Sequence, residues 1–520
     1  MYPYQRGEGG FESCAFTNFG SAVGITKHPS GIPIPTMVKI KHHEMGQPDG
    51  QHHNTHLVYH FQYLISTTPL NTTRPEPYRT HQHLAHAELI TPARKTIAQL
   101  ARTQHPYPNH IPNRYCRHFQ RYFDPDAAFQ HLCQHTLHAT PAHQPYCVAL
   151  GGTTVPRTGT YLPGAHWTPN PANAPFARGL RKAQRFVMAG WLDNDPNARC
   201  VPVYWLPTFS PNARYANPAS RRSEIQGWIA SLQRVRAWLN AAGRTEQLLL
   251  GVGDGRGDTK ALGTLELPNT VCCVRTRKDS RWCDLPQDAP SGRGRRRVYS
   301  DQVWTPQDKW QQRTGWQRVP LVVRGRAVRL LVRVEGPCRR VGWGERVFFL
   351  IIVRGHHKRT KRGKSREPMA FWVHAVSDGT GGWQLPVPLK SLLLKLWQRW
   401  EVEVGFRWMK SGFGLGEKPC WGFESGERSV AWSAWVYGAL VWSGYCAWGG
   451  WTGGARWGGC RGRVRWTFRD VLWSVRRELL GIDAGLWGGG MCGDEVPKNG
   501  GVGWCWDVDV VLSWLCAFRL

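Results

Sequence analysis

Two short apolar runs, RCVPVYWLP (199–207) and QLLLGVG (247–253), flank RSEIQGWIASLQRVRAWLNAAG (222–243). The runs are too short for helices and lack polar alternation, so they read as buried strands. The segment between them has helical spacing, and Gly243 sits where a C-cap favours left-handed backbone. Strand, helix and strand in that order commit this part of the chain to an α/β layout, with helices packed on a sheet. YCVALGG (146–152) and NTVCCVRTR (269–277) read as further strands of it.

Beyond residue 290 the texture changes. VPLVVRGRAVRLLVRVEG and RVFFLIIVRG read as antiparallel strands, and residues 291–366 hold 21 Lys or Arg against 4 Asp or Glu. The densest runs are GRGRRR (292–297) and RGHHKRTKRGKSR (354–366). They offer Arg293, Arg295, Arg296, Arg297, Lys358, Arg359, Lys361 and Arg362 as candidate phosphate contacts. The whole chain carries a formal charge of +31 with a pI near 10.0. A charge of that size, clustered in this way, points to a polyanionic partner, usually nucleic acid, rather than to a merely solvated surface.

The two ends of the chain differ in character. Eighteen of the 21 histidines lie at or before His166, and all 28 tryptophans at or after Trp167. Residues 1–75, rich in Pro, Gly, His and Thr, are expected to form a poorly ordered polar arm. His52, His56 and His60 have helical spacing, but with no carboxylate or cysteine pattern beside them they read as a solvated tract rather than a metal site. Residues 84–139 have helical periodicity, with Asp124 or Asp126 as N-cap. Within them RYCRHFQRYF (114–123) interleaves Arg114, Arg117 and Arg121 with aromatics; it reads equally as a phosphate-facing helix and as an ordinary amphipathic one. SVAWSAWVYGALVWSGYCAWGGWTGGA (429–455) is uncharged and long enough to span a bilayer. Gly, Ser and Trp run all through it, so it reads as a buried helix followed by a glycine-rich loop. The 15 cysteines show no framework and no CxxC pair, and the opening MYPYQRGEGG is polar. The expectation is a cytoplasmic protein with reduced thiols, without structural zinc and without a membrane span.

Metal-assisted chemistry on a phosphodiester needs carboxylates that converge from separate elements. Asp254 directly follows the QLLLGVG strand inside GDGRGDT, where flanking glycines leave room for a sharp turn; by itself it would read as an ordinary turn aspartate. Glu403 lies in WQRWEVEVGFRWMK (397–410), where Arg399, Glu403, Phe406 and Lys410 share one helix face and Glu401 points elsewhere. Trp397, Trp400 and Trp408 surround that charged face, and the expectation is that these indoles hold the helix against the sheet.

RWEVEVGFRWMK matches the R-x3-E-x6-K signature and thus resembles the bacterial insertion-sequence transposases of the DDE type, reading Arg399, Glu403 and Lys410. GTTVPRTGTYLPGAHWTPNPANAPFARGLRKAQRF (152–186), GDGRGDT and WSAWVYGAL are similar to the same group, so the resemblance spans roughly residues 85–480. It implies an α/β fold: an RNase H-like mixed sheet flanked by helices, interrupted by a β-rich basic insertion, with an N-terminal helical region. The implied organisation is a polar arm (1–75), a helical DNA-binding region (76–145), a first catalytic part (146–290), the insertion (291–369), a second catalytic part (370–450) and a Gly/Trp-rich end (451–520). It implies cleavage and joining of DNA strands with two Mg2+ ions, Asp254 and Glu403 acting as second and third catalytic and metal-binding acids, and Arg399 and Lys410 contacting DNA. The implied partners are transposon-end and target DNA, bound as a homodimer near the nucleoid.

One position departs from the pattern. Where the family reads A-L-D-G-T this chain reads Ala149-Leu150-Gly151-Gly152-Thr153, so Gly151 stands at the first acid. No Asp or Glu lies between Asp126 and Asp193; Asp193, Asp195 and Asp258 are the remaining candidates to lean in. The expectation is therefore an impaired enzyme, or else a non-enzymatic DNA-binding protein or repressor of the same descent.

Overall fold

A computed structural model describes residues 57–480, apart from 93, 105–109, 160, 171–178, 214, 287–296, 325, 355–367 and 450–464. The described residues before the sheet form α1 (Leu57–Thr67), α2 (Pro75–Ile90), α3 (Ile97–Gln104), α4 (Ile111–Arg117) and α5 (Pro125–Ala139), with a π-helical turn at His118–Tyr122. The expectation of a polar arm over residues 1–75 falls outside the described residues up to 56 and needs correction from 57 on: Leu57, Phe61, Leu64 and Ile65 recur at helical spacing and bury one face of α1. Around the π-turn, Tyr115, Phe119 and Phe123 point inward while Arg117 and Arg121 are exposed. Arg114 donates to Thr80 Oγ1 at 2.7 Å and pairs with Glu76. Asp124 caps α5, accepting from the Asp126 N–H, with Pro125 in the first turn where its missing N–H costs nothing. His52 and His56 lie outside the described residues.

The sheet begins with β1 (Tyr146–Pro156), β2 (His166–Pro169), β3 (Leu180–Trp191) and β4 (Val201–Pro207), followed by α6 (Glu224–Ala241), β5 (Leu249–Gly253), α7 (Lys260–Gly263) and β6 (Thr270–Thr276). β3 pairs antiparallel with β1 and with β4, whereas β1, β5 and β6 run parallel, giving the order β4-β3-β1-β5-β6 with β2 also on β3. β5 is buried throughout, as the unbroken apolar run required. α6 opens with a capping box between Ser223 and Gln226 and ends before Gly243, whose φ is +73°.

The basic strands extend the same sheet. They are β7 (Trp282–Asp284), β8 (Val303–Trp304), then α8 (Pro306–Gln311), β9 (Gln317–Val323), β10 (Arg326–Arg340), β11 (Val347–Arg354) and β12 (Met369–His374). β12 pairs antiparallel with β6, β11 with β12, and β10 with β11. β7 and β9 also pair with β10. A short hairpin, β13 (Val376–Ser377) and β14 (Trp383–Gln384), leads into α9 (Leu389–Gln398), α10 (Trp400–Arg407), a second π-turn (Trp408–Gly412), α11 (Phe423–Trp448) and α12 (Phe468–Leu480). The whole is an α/β protein with a large mixed sheet.

α11 is the uncharged stretch. It is buried through most of its length by the N-terminal helices, β4 and α12. Trp432 and Trp435 pack among His81, His118 and Phe123. Gly438 permits close approach, since a Cβ there would lie 2.8 Å from Leu132. Glu88 and Lys418 form a fully buried ion pair of 2.6 Å at its side, and Glu88 also accepts from Trp432 Nε1 at 2.7 Å. Among the described residues no helix is long and apolar enough to cross a membrane.

α10 is fixed by Glu401. Its carboxylate, 3% exposed, accepts from Arg465 (2.8 and 3.1 Å), Arg199 (3.2 Å) and Arg324 (2.6 Å). Burial alone would raise its pKa; the Arg465 hydrogen bond and charge, with Arg199 and Arg324, outweigh that and lower it. Glu401→Ala leaves these arginines uncompensated, and we expect a loss of about 3–5 kcal/mol in urea unfolding.

His374 ties β12 to β6 and α7. Its Nδ1 accepts from the Cys272 N–H at 3.2 Å, so the ring proton sits on Nε2 and donates to Gly263 O at 2.9 Å. Burial, with Arg346 nearby, pushes its pKa from 6.5 down to about 3. Between those values the unfolded chain binds a proton that the folded chain refuses. The contribution is therefore complete above about pH 6.5 and is lost as pH falls toward 3. The urea midpoint should drop between pH 7 and 5, less steeply in His374→Gln; equal slopes would contradict this.

Candidate functional site

Asp254 ends β5 and caps a 3₁₀ turn, Gly255–Gly257, its Oδ1 accepting from the Arg256 N–H at 2.9 Å. β1 and β5 pair in parallel with Ala149 opposite Val252. Carried on two residues, that register sets Gly151 level with Asp254 on the same face of the sheet. α10 lies directly on this face: a Cβ at Gly151 would stand 2.5 Å from Val402 Cγ1 and 3.2 Å from Phe406 Cε2. Glu403, the next residue after Val402, is half-buried, and Arg399 Nη1 stands 3.5 Å from its Oε1. Burial, together with nearby Arg181, lowers the Lys410 pKa, while Glu403 opposes the shift. Arg181 itself donates to Thr154 on β1. Arg181, Arg399 and Lys410 thus gather around Glu403.

The tryptophans are placed otherwise than expected. Trp397 and Trp400 are 39% and 56% exposed; Val402, Phe406 and Met409, at i, i+4 and i+7, make the buried face instead. Trp397 stands in the last turn of α9 and Trp400 opens α10, and both stay on the solvent side while apolar side chains fill the inner face of α10. Nor is the segment one helix: Arg399 joins α9 to α10, and Lys410 stands in the π-turn. Glu401 turns away from Glu403 into its arginine cluster.

A residue that motif reasoning passed over also reaches the site. Glu224, the first residue of α6, extends across the sheet end so closely that a Cβ on Gly152 would lie 2.5 Å from its carboxyl carbon. Its Oε2 pairs with Arg256 Nη1 at 2.8 Å. The pKa of Arg256 is raised by Glu224 first, with further contributions from Asp254 and Glu403. The guanidinium itself contacts Glu224 alone. The sequence signal was available: Glu224 opens the helix that returns from β4 to β5, and an acid there lies beside the strand ends. The same residue is also an ordinary first-turn acid favoured by the helix dipole, so its type alone does not mark it.

The other acids considered do not lean in. Asp258 is spent on Arg340, Thr276 Oγ1 and Trp372 Nε1. Asp193 and Asp195 follow β3, whose Trp191 pairs with Val148 near the start of β1, at the opposite end of the strands from Asp254. Their side chains cap Asn194 and Asn197 N–H groups.

The residues present do not fit two metal ions. The first acid position holds no carboxylate, α10 fills the space one would need, and Glu403 is paired with Arg399. Among the described residues no three His, Cys, Asp or Glu side chains form a metal-ligating group. Of the basic candidates, Arg297 is exposed and pairs with Asp301 at 2.7 Å. Arg293, Arg295, Arg296, Lys358, Arg359, Lys361 and Arg362 lie outside the described residues. The strands beside the second basic run, ending at Arg354 and starting at Met369, terminate at the Asp254 end of the sheet, because Ala370 pairs with Thr276 and Gly253 with Val274.

No protein-family model matches the chain, and no curated protein matches it. Gly151→Ala should destabilise the fold by about 1–3 kcal/mol through its collision with Val402. Val402→Ala in the same chain should recover most of that loss, as a double-mutant cycle in urea would measure. A neutral Gly151→Ala would mean that α10 is not seated on β1.

Proposed function

We propose that this chain is a DNA-binding protein of the DDE transposase type, built on an RNase H-like sheet, with an impaired strand-cleavage site. One arrangement carries the reading. Asp254 and Gly151 stand level on adjacent parallel strands, beneath α10 with Glu403, and Arg399 at its start and Lys410 in the following π-turn keep the spacing of the family signature. The strand order β4-β3-β1-β5-β6, with α6 between β4 and β5, supports the fold assignment. Arg399 and Lys410 beside Glu403 offer contacts to a phosphate backbone, and the sequence between β11 and β12 is strongly basic. The partners on this reading are transposon-end and target DNA, held by a homodimer at the nucleoid.

The packing favours the binding-only form of this reading over a decayed enzyme one residue from activity. Val402 and Phe406 occupy the space of the first acid, and Glu403 pairs with Arg399. In the complete site Mg2+ would supply activation of the attacking oxygen and stabilisation of the leaving one; here no step can be assigned to it. Arg399 and Lys410 retain a role in either case, as cations that position DNA.

Duplex DNA from the flanks of the coding sequence should bind in fluorescence polarisation. Affinity should fall about 100-fold or more between about 50 and 200 mM salt if four phosphates are contacted. Arg399→Ala and Lys410→Ala should each weaken binding and flatten the salt slope. Supercoiled plasmid carrying those flanks should stay uncut with Mg2+ or Mn2+, and Gly151→Asp alone should not restore nicking. Salt-insensitive or absent binding would sink the DNA reading; robust cleavage by the unmodified chain would sink the impairment.

A further inference from the structure

A second concave site lies away from Asp254. Glu266 after α7, the turn between β10 and β11, and Trp383 of β14 enclose a cleft of about 300 Å3. Small-ligand sites begin at roughly that size. Val347 lines the cleft and opens β11, and the next residue, Phe348, pairs with His374 at the end of β12. The cleft is therefore at the opposite end of these strands from Met369 and Asp254. Its turn is well fixed. Gly342 and Gly344 take left-handed backbone, with φ of +86° and +84°, and the Tyr299 hydroxyl accepts from both their N–H groups at 3.1 and 2.8 Å. Trp343 between them is clamped: the Arg340 guanidinium stands 4.2 Å from its ring centre, and Phe348 and Trp372 meet it edge-on. Three charged groups share the cleft with Trp343 and Trp383. Glu266 and Glu345 are exposed, and Arg346 is half-buried. Arg346 Nε is buried and no acceptor reaches it. Among the described residues none of the three enters an ion pair.

We propose that this cleft binds a free aromatic α-amino acid, its carboxylate on Arg346, its ammonium on Glu266 and Glu345, and its ring against Trp343 and Trp383. The charges select the class. A simple anion would meet two acids, and a simple cation would meet the guanidinium; a zwitterion satisfies both signs at once. A peptide end carries only one of the two charges. The indoles supply an apolar wall that favours an aromatic ring, and the clamped Trp343 is already in place before a ligand arrives, which lowers the cost of binding. The buried Arg346 Nε without an acceptor is costly in the empty cleft and gains a partner when a carboxylate enters. The inference stands on this geometry whether or not the chain binds DNA.

Isothermal titration calorimetry on the full chain tests this with L-phenylalanine, L-tyrosine and L-tryptophan, at least one of which should bind saturably. For that amino acid the amide, which lacks the carboxylate, and the N-acetyl form, which lacks the ammonium, should each bind about ten-fold or more weakly, as loss of one charge-assisted contact predicts. Arg346→Met should bind the amino acid and its amide alike. Glu266→Gln combined with Glu345→Gln should bind the amino acid and its N-acetyl form alike. Trp383→Ala should weaken binding of the amino acid. Circular dichroism checks the fold, and the exposed glutamates keep the test open if Arg346→Met is unfolded. No saturable binding of the three amino acids, or an amide that binds as tightly as the acid, would overturn the proposal. Guanosine monophosphate is the contrasting probe: its binding where the amino acids fail would assign the cleft to a nucleotide and sink the reading. DNA affinity is a separate measurement, so failure here leaves the DNA reading to its own test.

Discussion

A single buried carboxylate sets the geometry on which the rest depends. Glu401 accepts from arginines that arrive from three remote parts of the chain: Arg199 before β4, Arg324 between β9 and β10, and Arg465 before α12. Arg465 also donates to the carbonyls of Asn197 and Ala198, and Arg199 to that of Trp466. The charges are worth little as a net stabiliser, since desolvating them is expensive. What they give is position. With Glu401 held, the side chains one and two residues on have fixed directions: Val402 onto Gly151 and Glu403 toward the strand ends.

Val402 and Gly151 then have to be read as a pair. A β-branched side chain cannot swing aside when a Cβ appears in front of it, so the glycine and the valine are two halves of one packed contact. The site is filled by apolar atoms on one side of β1 and by the Glu224–Arg256 pair on the other. Beside it stand the partly buried cations Arg399, held against Glu403, and Lys410.

Much of this was legible in the sequence. The apolar runs ending in glycine gave the parallel strands, and Asp254 followed from its place after one of them, because burial on both faces leaves few other patterns. Gly243 and Asp124 marked helix ends through backbone chemistry that does not depend on context. The failures have equally definite causes. Trp397 and Trp400 were expected inside because indoles are usually core, but the helix phase set by Val402, Phe406 and Met409 had already filled the inner face. Glu224 escaped because one residue type serves both a helix start and a site, and only the return of α6 across the strand ends distinguishes them. The polar composition of the first 75 residues hid the four apolar side chains of α1, whose partners lie hundreds of residues away.

That distance has a consequence for how the molecule is made. Trp432 of α11 donates to Glu88 of α2 across 344 residues, and Leu57 at the start of α1 donates its N–H to Glu478 near the end of α12. The helices synthesised first therefore have no completed core until the last quarter of the chain emerges. Contacts of such separation carry the full entropy of loop closure before they return anything. Until α11 has been made, the faces of α1 and α5 that it covers lack a main packing partner, so this core closes late.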